Sequence, residues 1–200
     1  MYADANDEVL RSFAEKVAES TGQEVSWVPE LCCYQLNTKS WGALAVKMHH
    51  YFFIARNDAA SAADFDAYTR TCVDWGLKHY QGFVRGMQKG VAIYPVLLQA
   101  NPSGEVVAYT KQKPDAHWAA FALPVVVNLS TGAIDYLEKT PIWGFAMWKG
   151  IRKAASEALG QAAQSVRGMQ LSKPAASGGT GLYSSNEPTI TQKYGGTPRG

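Results

Sequence analysis

The chain has 200 residues, of which 46% are hydrophobic and 18% charged, with six tryptophans and ten tyrosines. That length suits one ordinary domain with an extension, and the composition excludes a disordered, collagen-like or disulfide-framed chain. A formal net charge of +2 is too small by itself to mark a nucleic-acid or anionic-membrane binder, and no apolar run approaches the ~20 residues of a membrane span.

The first predicted element is a short amphipathic helix. Leu10, Phe13 and Val17 recur at helical spacing, Asp4 or Asn6 can cap the start, and Gly22 suits the residue after the end. Its acidic beginning, MYADANDEVL, is unlike a signal peptide. From EVSWV through LCCYQL to GALAVKMHHYFFIA the apolar runs are short or alternating and are punctuated by Pro29, Asn37 and Gly42, which predicts three strands. The next stretch returns to helix, with Phe65, Tyr68, Cys72, Trp75 and His79 on one stripe and Asn57, Asp58 or Ser61 available as caps.

GFVRGMQKG ends that helix with glycines at 82, 86 and 90, and VAIYPVLLQ reads as a buried strand in which Pro95 argues for an edge or a bulge. After a turn at NPSGE, VVAYT reads as a short strand and KQKPDAHW as a polar loop. LPVVVNL, STG and AIDYLEK then describe a hairpin whose turn residue Gly132 takes positive φ. Thr140 caps a last helix with Pro141 at its first position, continuing to Gly160.

Beyond about residue 160 the aliphatic clusters stop and Gly, Ser, Thr and Pro take over. Such a segment cannot bury enough apolar surface to offset ordering at roughly 1–2 kcal/mol per residue. The expected organisation is therefore one α+β domain over residues 1–162, with a mixed or antiparallel sheet packed against two to three amphipathic helices, and a flexible tail over 163–200. Tyr183 and Tyr194 dot that tail as docking segments would.

Chemical signatures are sparse. Three cysteines are an odd count, and Cys32 and Cys33 are adjacent, which points away from a disulfide framework and toward a reducing, cytoplasmic setting. His49 and His50 on one strand point to opposite faces, one to core and one to surface, and neither CxxC nor HxxxH nor HExxH occurs, so no metal or cofactor is assigned. Cys72 lies on an apolar stripe, whereas Cys32 or Cys33 could meet His49 or His50 across neighbouring strands as a thiol–imidazole pair. GFVRGMQKG offers Arg85 and Lys89 at the anion-repelling end of a helix, so these join Lys111 and Lys113 as a basic surface rather than a phosphate cradle.

The order helix, three strands, helix, strand over about residues 5 to 99 resembles the core of the PD-(D/E)xK nuclease family. The resemblance implies that Glu30 stands for the first metal-binding acid and Lys47, in LAVK, for the lysine that steadies the attacking water. Ala45 stands where the second carboxylate belongs, so the implied relative binds nucleic acid without cutting it.

Three function classes follow, in order. The first is a non-enzymatic binding or assembly protein, engaging a protein partner or itself through exposed aromatics, with Trp143 and Trp148 as anchors and Trp148 the more exposed of the two. The second is a nucleic-acid-associated domain contacting phosphates through Arg85, Lys89, Lys111 and Lys113, and the third a small Cys/His hydrolase. No membrane, catalytic residue or cofactor is assigned.

Overall fold

A computed structural model describes residues 1–41, 47–80, 89–113, 120–142 and 144–167. The element order is α1 (Glu8–Thr21), β1 (Ser26–Val28), β2 (Cys33–Trp41), β3 (Lys47–Arg56), α2 (Ala62–Lys78), β4 (Lys89–Gln99), α3 (Gly104–Thr110), β5 (Ala120–Ala122), β6 (Val125–Asn128), β7 (Ile134–Asp135) and α4 (Phe145–Ser165). This is the α+β fold expected, with a mixed sheet in the order β1-β2-β3-β4-β6-β7 and β5 also paired to β4.

The first three strands form an antiparallel meander, and β3, β4 and β5–β6 run parallel. Parallel neighbours need crossovers. The sheet advances in one direction through both, so their helices, α2 and α3, lie on one face. The opposite face is covered by α1 and α4, which pack against each other.

Strand parity sorts the core. Met48, Phe52, Ile54, Tyr94, Val96 and Leu98 point to α1 and α4. Tyr51, Phe53, Ile93, Leu97 and Val126 point to α2 and α3.

Caps fix the helix starts. Asp7 accepts from the Leu10 amide at 2.8 Å, which moves the α1 cap past the expected Asp4 or Asn6. Ser61 and Asp64 form a reciprocal capping box at α2. Ser103 accepts from Val106 N and starts a helix where VVAYT reads as a strand; the cap and Glu105 in the first turn outweigh the β-branched pair.

Pro95 lies on neither an edge nor a bulge but in the central strand β4, aligned with Phe53 of β3. The β4 register to β5 and β6 is continuous across the break at Leu123–Pro124. The Ile93 carbonyl accepts from Leu123 N at 2.9 Å, so Pro95, two residues on, turns its missing N–H toward the same neighbour. It meets that neighbour where β5 gives way to β6.

The hairpin of β6 and β7 pairs Val126 with Asp135 and Val127 with Ile134, and Gly132 has φ 74° as expected. The last helix differs from expectation at both ends. Gly144 has φ 66°, a left-handed residue that cannot lie inside a helix, so α4 begins at Phe145. Thr140, instead of capping, accepts from Arg152 Nη2 at 2.9 Å. Gly160 does not end α4, which runs on to Ser165. Of the tail expected over 163–200, residues 163–165 continue α4, with Ala163 buried, and residues 168–200 lie outside the described residues.

Candidate functional site

Two adjacent histidines on β3 face opposite sides of the sheet, as strand parity requires, and each meets a different environment. His50 is 1% exposed, on the α1–α4 side. Its Nε2 is 2.7 Å from Ser40 Oγ on β2, and its Nδ1 is 2.7 Å from the Tyr94 hydroxyl on β4. Tyr94 in turn donates to the Ile151 carbonyl of α4 at 3.1 Å.

Donor inventory orients this chain. A carbonyl only accepts, so the single Tyr94 proton goes to Ile151 and its oxygen accepts from His50 Nδ1–H. Burial, and then the neighbouring His49, push His50 down to about 4, so the ring is neutral at pH 7. Nε2 therefore presents a lone pair, and Ser40 donates to it. The ring also stacks on Tyr94 with centroids 5.8 Å apart, which restrains it further.

On the other face His49 borders a polar cleft of about 460 Å³, walled by Gln35, Asn37 and Lys39 of β2, Tyr51 of β3, Trp75 of α2 and His79, which caps the end of that helix. The His49 ring meets Tyr80 edge-on, and Trp75 stacks on His79 with centroids 4.1 Å apart. A second cleft between α2 and α3 holds Lys113 beside Asp66, Arg70 and Asp74, where Arg70 pairs with Asp66 at 2.8 Å.

The cysteines and histidines do not meet. Tyr34, next to Cys33, pairs with Ile54, while His50 pairs with Thr38 four residues along the ladder. Cys33 and Cys72 instead flank the buried Tyr68; burial pushes the Cys33 thiol up to about 12 and Cys72 well above the usual range, so neither is a thiolate at neutral pH. Glu30 and Lys47 do not converge either. Glu30 follows β1 near the Ile54 end of β3, whereas Lys47 begins β3, ten residues that span roughly 30 Å. Among the described residues no group of three His, Cys, Asp or Glu side chains is placed to hold a metal ion.

Lys111 forms an ion pair with Asp135 at 3.0 Å, Lys113 lines the α2–α3 cleft, and Lys89 aligns with Lys47 at the start of β4. Arg85, Trp143, Tyr183 and Tyr194 lie outside the described residues, as does the side chain of Lys89.

Trp148 corrects the expectation of an exposed anchor: it is 0% exposed and packs edge-on to Phe121 at 5.6 Å. The exposed large hydrophobics near it are Ile142 at 93% and Phe145 at 71%. Sequence reasoning passed over both, although they bracket the WG pair at the helix start.

Comparison with protein-family models, curated proteins and solved structures finds no match. No helix of the described residues is long and apolar enough to cross a membrane.

Proposed function

We propose that this is a cytoplasmic binding or assembly protein that engages a protein partner through the apolar side chains leading into α4. The observation that carries this reading is the exposure of Ile142 and Phe145, three positions apart on one short segment. Apart from the terminal Met1 they are the exposed large hydrophobics among the described residues. Burying two such side chains is worth roughly 1.5–3 kcal/mol each, the scale of an interface hot spot. Gly144, φ 66°, stands between them, and its carbonyl accepts from Met147 N at 2.8 Å, which holds the first turn of α4 that carries Phe145. Lys139 and Lys149 are exposed beside it, which suits an apolar pocket with an acidic rim.

A photo-crosslinking side chain at position 145 tests the reading, with exposed Ser156 on the same helix as the control position. The expected result is a discrete protein adduct at 145 that Ile142→Ser abolishes. Equal, diffuse crosslinking at both positions overturns it.

A further inference from the structure

We propose that Ser40 is a nucleophilic hydroxyl, with His50 as its base and Tyr94 as a positioning residue, and that it accepts acyl groups from small activated carboxylic esters. The inference is independent of the partner surface at α4.

Three observations carry it. Ser40 is exposed, yet its Oγ lies 2.7 Å from a ring nitrogen whose lone pair is turned toward it. The hydroxyls of Ser20, Ser130, Ser156 and Ser165 donate instead to backbone carbonyls, which cannot take a proton in a reaction. An imidazole can. The base is also held in a single tautomer, because Tyr94 spends its proton on Ile151 and so demands the proton of Nδ1. Nucleophile, base and orienting group thus follow the arrangement that makes a serine hydroxyl reactive, with a neutral phenol in the orienting place.

The electrophile follows from the surroundings. Ser40 pairs across the ladder with Met48 on the same face, so the side chain beside the hydroxyl is apolar, which favours an apolar acyl group over a charged one. A neutral ester carbonyl also suits a site whose base is a neutral ring. In acylation, Oγ forms a bond to the carbonyl carbon, the Oγ proton moves to His50 Nε2, and the ester C–O bond breaks. The leaving alcohol departs with that proton. Water reverses these steps: its oxygen bonds to the acyl carbon, its proton passes through Nε2 to Oγ, and the Oγ–carbon bond breaks to release the acid.

The experiment uses the full chain and p-nitrophenyl butyrate, following nitrophenolate release and mapping the acylated peptide after acid quench. The wild type is expected to release nitrophenolate about a hundredfold faster than Ser40→Ala, with any trapped acyl group on the peptide containing Ser40. Ser40 is at the surface, so Ser40→Ala keeps its fold. Equal rates in the two proteins, or acylation spread over other side chains alone, overturn the proposal. A second readout does not depend on turnover: ¹⁵N-resolved spectra of His50 are expected to show the Nδ1–H tautomer in the wild type and a shift toward Nε2–H in Tyr94→Phe, with a matching fall in rate. An Nε2–H ring in the wild type overturns it, because that nitrogen would then donate to Ser40 rather than take its proton.

Discussion

Arg56 grips Asp7 with two hydrogen bonds from one guanidinium nitrogen, at 2.9 and 3.1 Å, and so ties the end of β3 to the start of α1. The same guanidinium reaches Asp58 at 2.8 Å, and Asp58 accepts from the Ala100 amide after β4. Arg56 and Asp7 side chains are only 12% and 21% exposed, so solvent screens this pair weakly. Asp7 does two jobs, since its Oδ1 also caps α1. Asp7→Ala removes the cap and leaves a partly buried guanidinium with one carboxylate, and should cost about 2–3 kcal/mol in urea unfolding. Asp7→Asn keeps a capping oxygen and loses the charge, so its cost should be about 1 kcal/mol. Equal losses from the two variants would show that the ion pair matters and the cap does not.

Gly144 is the second test of the fold. Its φ of 66° strains any L side chain, and a Cβ there would run into the ring of Phe121. Gly144→Ala should therefore lower stability by about 2–3 kcal/mol, from backbone strain together with overpacking. Gly150, inside α4, has nothing within 4 Å of its Cβ position, and Gly150→Ala should raise stability by about 0.5–1 kcal/mol. Thermal unfolding of both variants checks the pair, and a harmless Gly144→Ala would place the helix start elsewhere.

How much of this was legible beforehand depends on the kind of signal. Parity along β3 is local, so the opposite orientation of His49 and His50 could be read from the sequence. The relation of His50 to Ser40 and Tyr94 could not, because it needs the register of β2 on β3 and the adjacency of β3 and β4. Glycine and proline signals were read unevenly: Gly132 lies where a turn residue was expected, but Pro95 is central because its neighbour breaks opposite it. The partly hidden signal was in α4. Trp148, Ile151, Ala155, Leu159, Ala162 and Val166 fall on one buried stripe, but alanines carry little hydrophobic weight and let Lys149 and Arg152 pull the reading the wrong way. Those alanines are buried because α4 lies close on α1, where Ser20 Oγ bonds the Ala158 carbonyl at 3.0 Å.

The buried imidazole makes stability depend on pH. His50 titrates near 6.5 in an unfolded chain and is pushed down to about 4 when folded, by burial first and His49 second. Between these values the unfolded chain binds more protons, so stability falls with acidification through that window. Above pH 6.5 the full stability is present, and below about 4 this group takes away nothing further. The ring meets Ser40 on β2 and Tyr94 on β4, which the Ile151 carbonyl of α4 holds, while His49, next to it on β3, turns to the other face and acts only through its charge; none of these is a carboxylate. Over the window the loss should reach roughly 3 kcal/mol. His50→Gln should flatten the upper part of that curve, between pH 6.5 and 5, before carboxylates begin to titrate. A curve of unchanged slope in His50→Gln would assign the acid sensitivity to other groups.

Phe145 and Trp148 stand three positions apart on α4, one 71% exposed and the other not at all, and this contrast separates folding from recognition. Trp148 lies within the α1–α4 core, edge-on to Phe121 and above Ile151. Trp148→Ala leaves a large cavity there and should lower stability by on the order of 3–5 kcal/mol, with any change in association following from unfolding. Phe145→Ser removes a ring that the fold leaves in solvent, so its unfolding midpoint should stay close to that of the wild type. Its association should weaken by an amount set by the lost apolar burial, about 1.5–3 kcal/mol, or roughly 10- to 150-fold in affinity. Unfolding midpoints give the first quantity and titration of the crosslinked partner gives the second. If Phe145→Ser unfolds the domain as Trp148→Ala does, the ring is structural; if it changes neither quantity, the partner surface is not at α4.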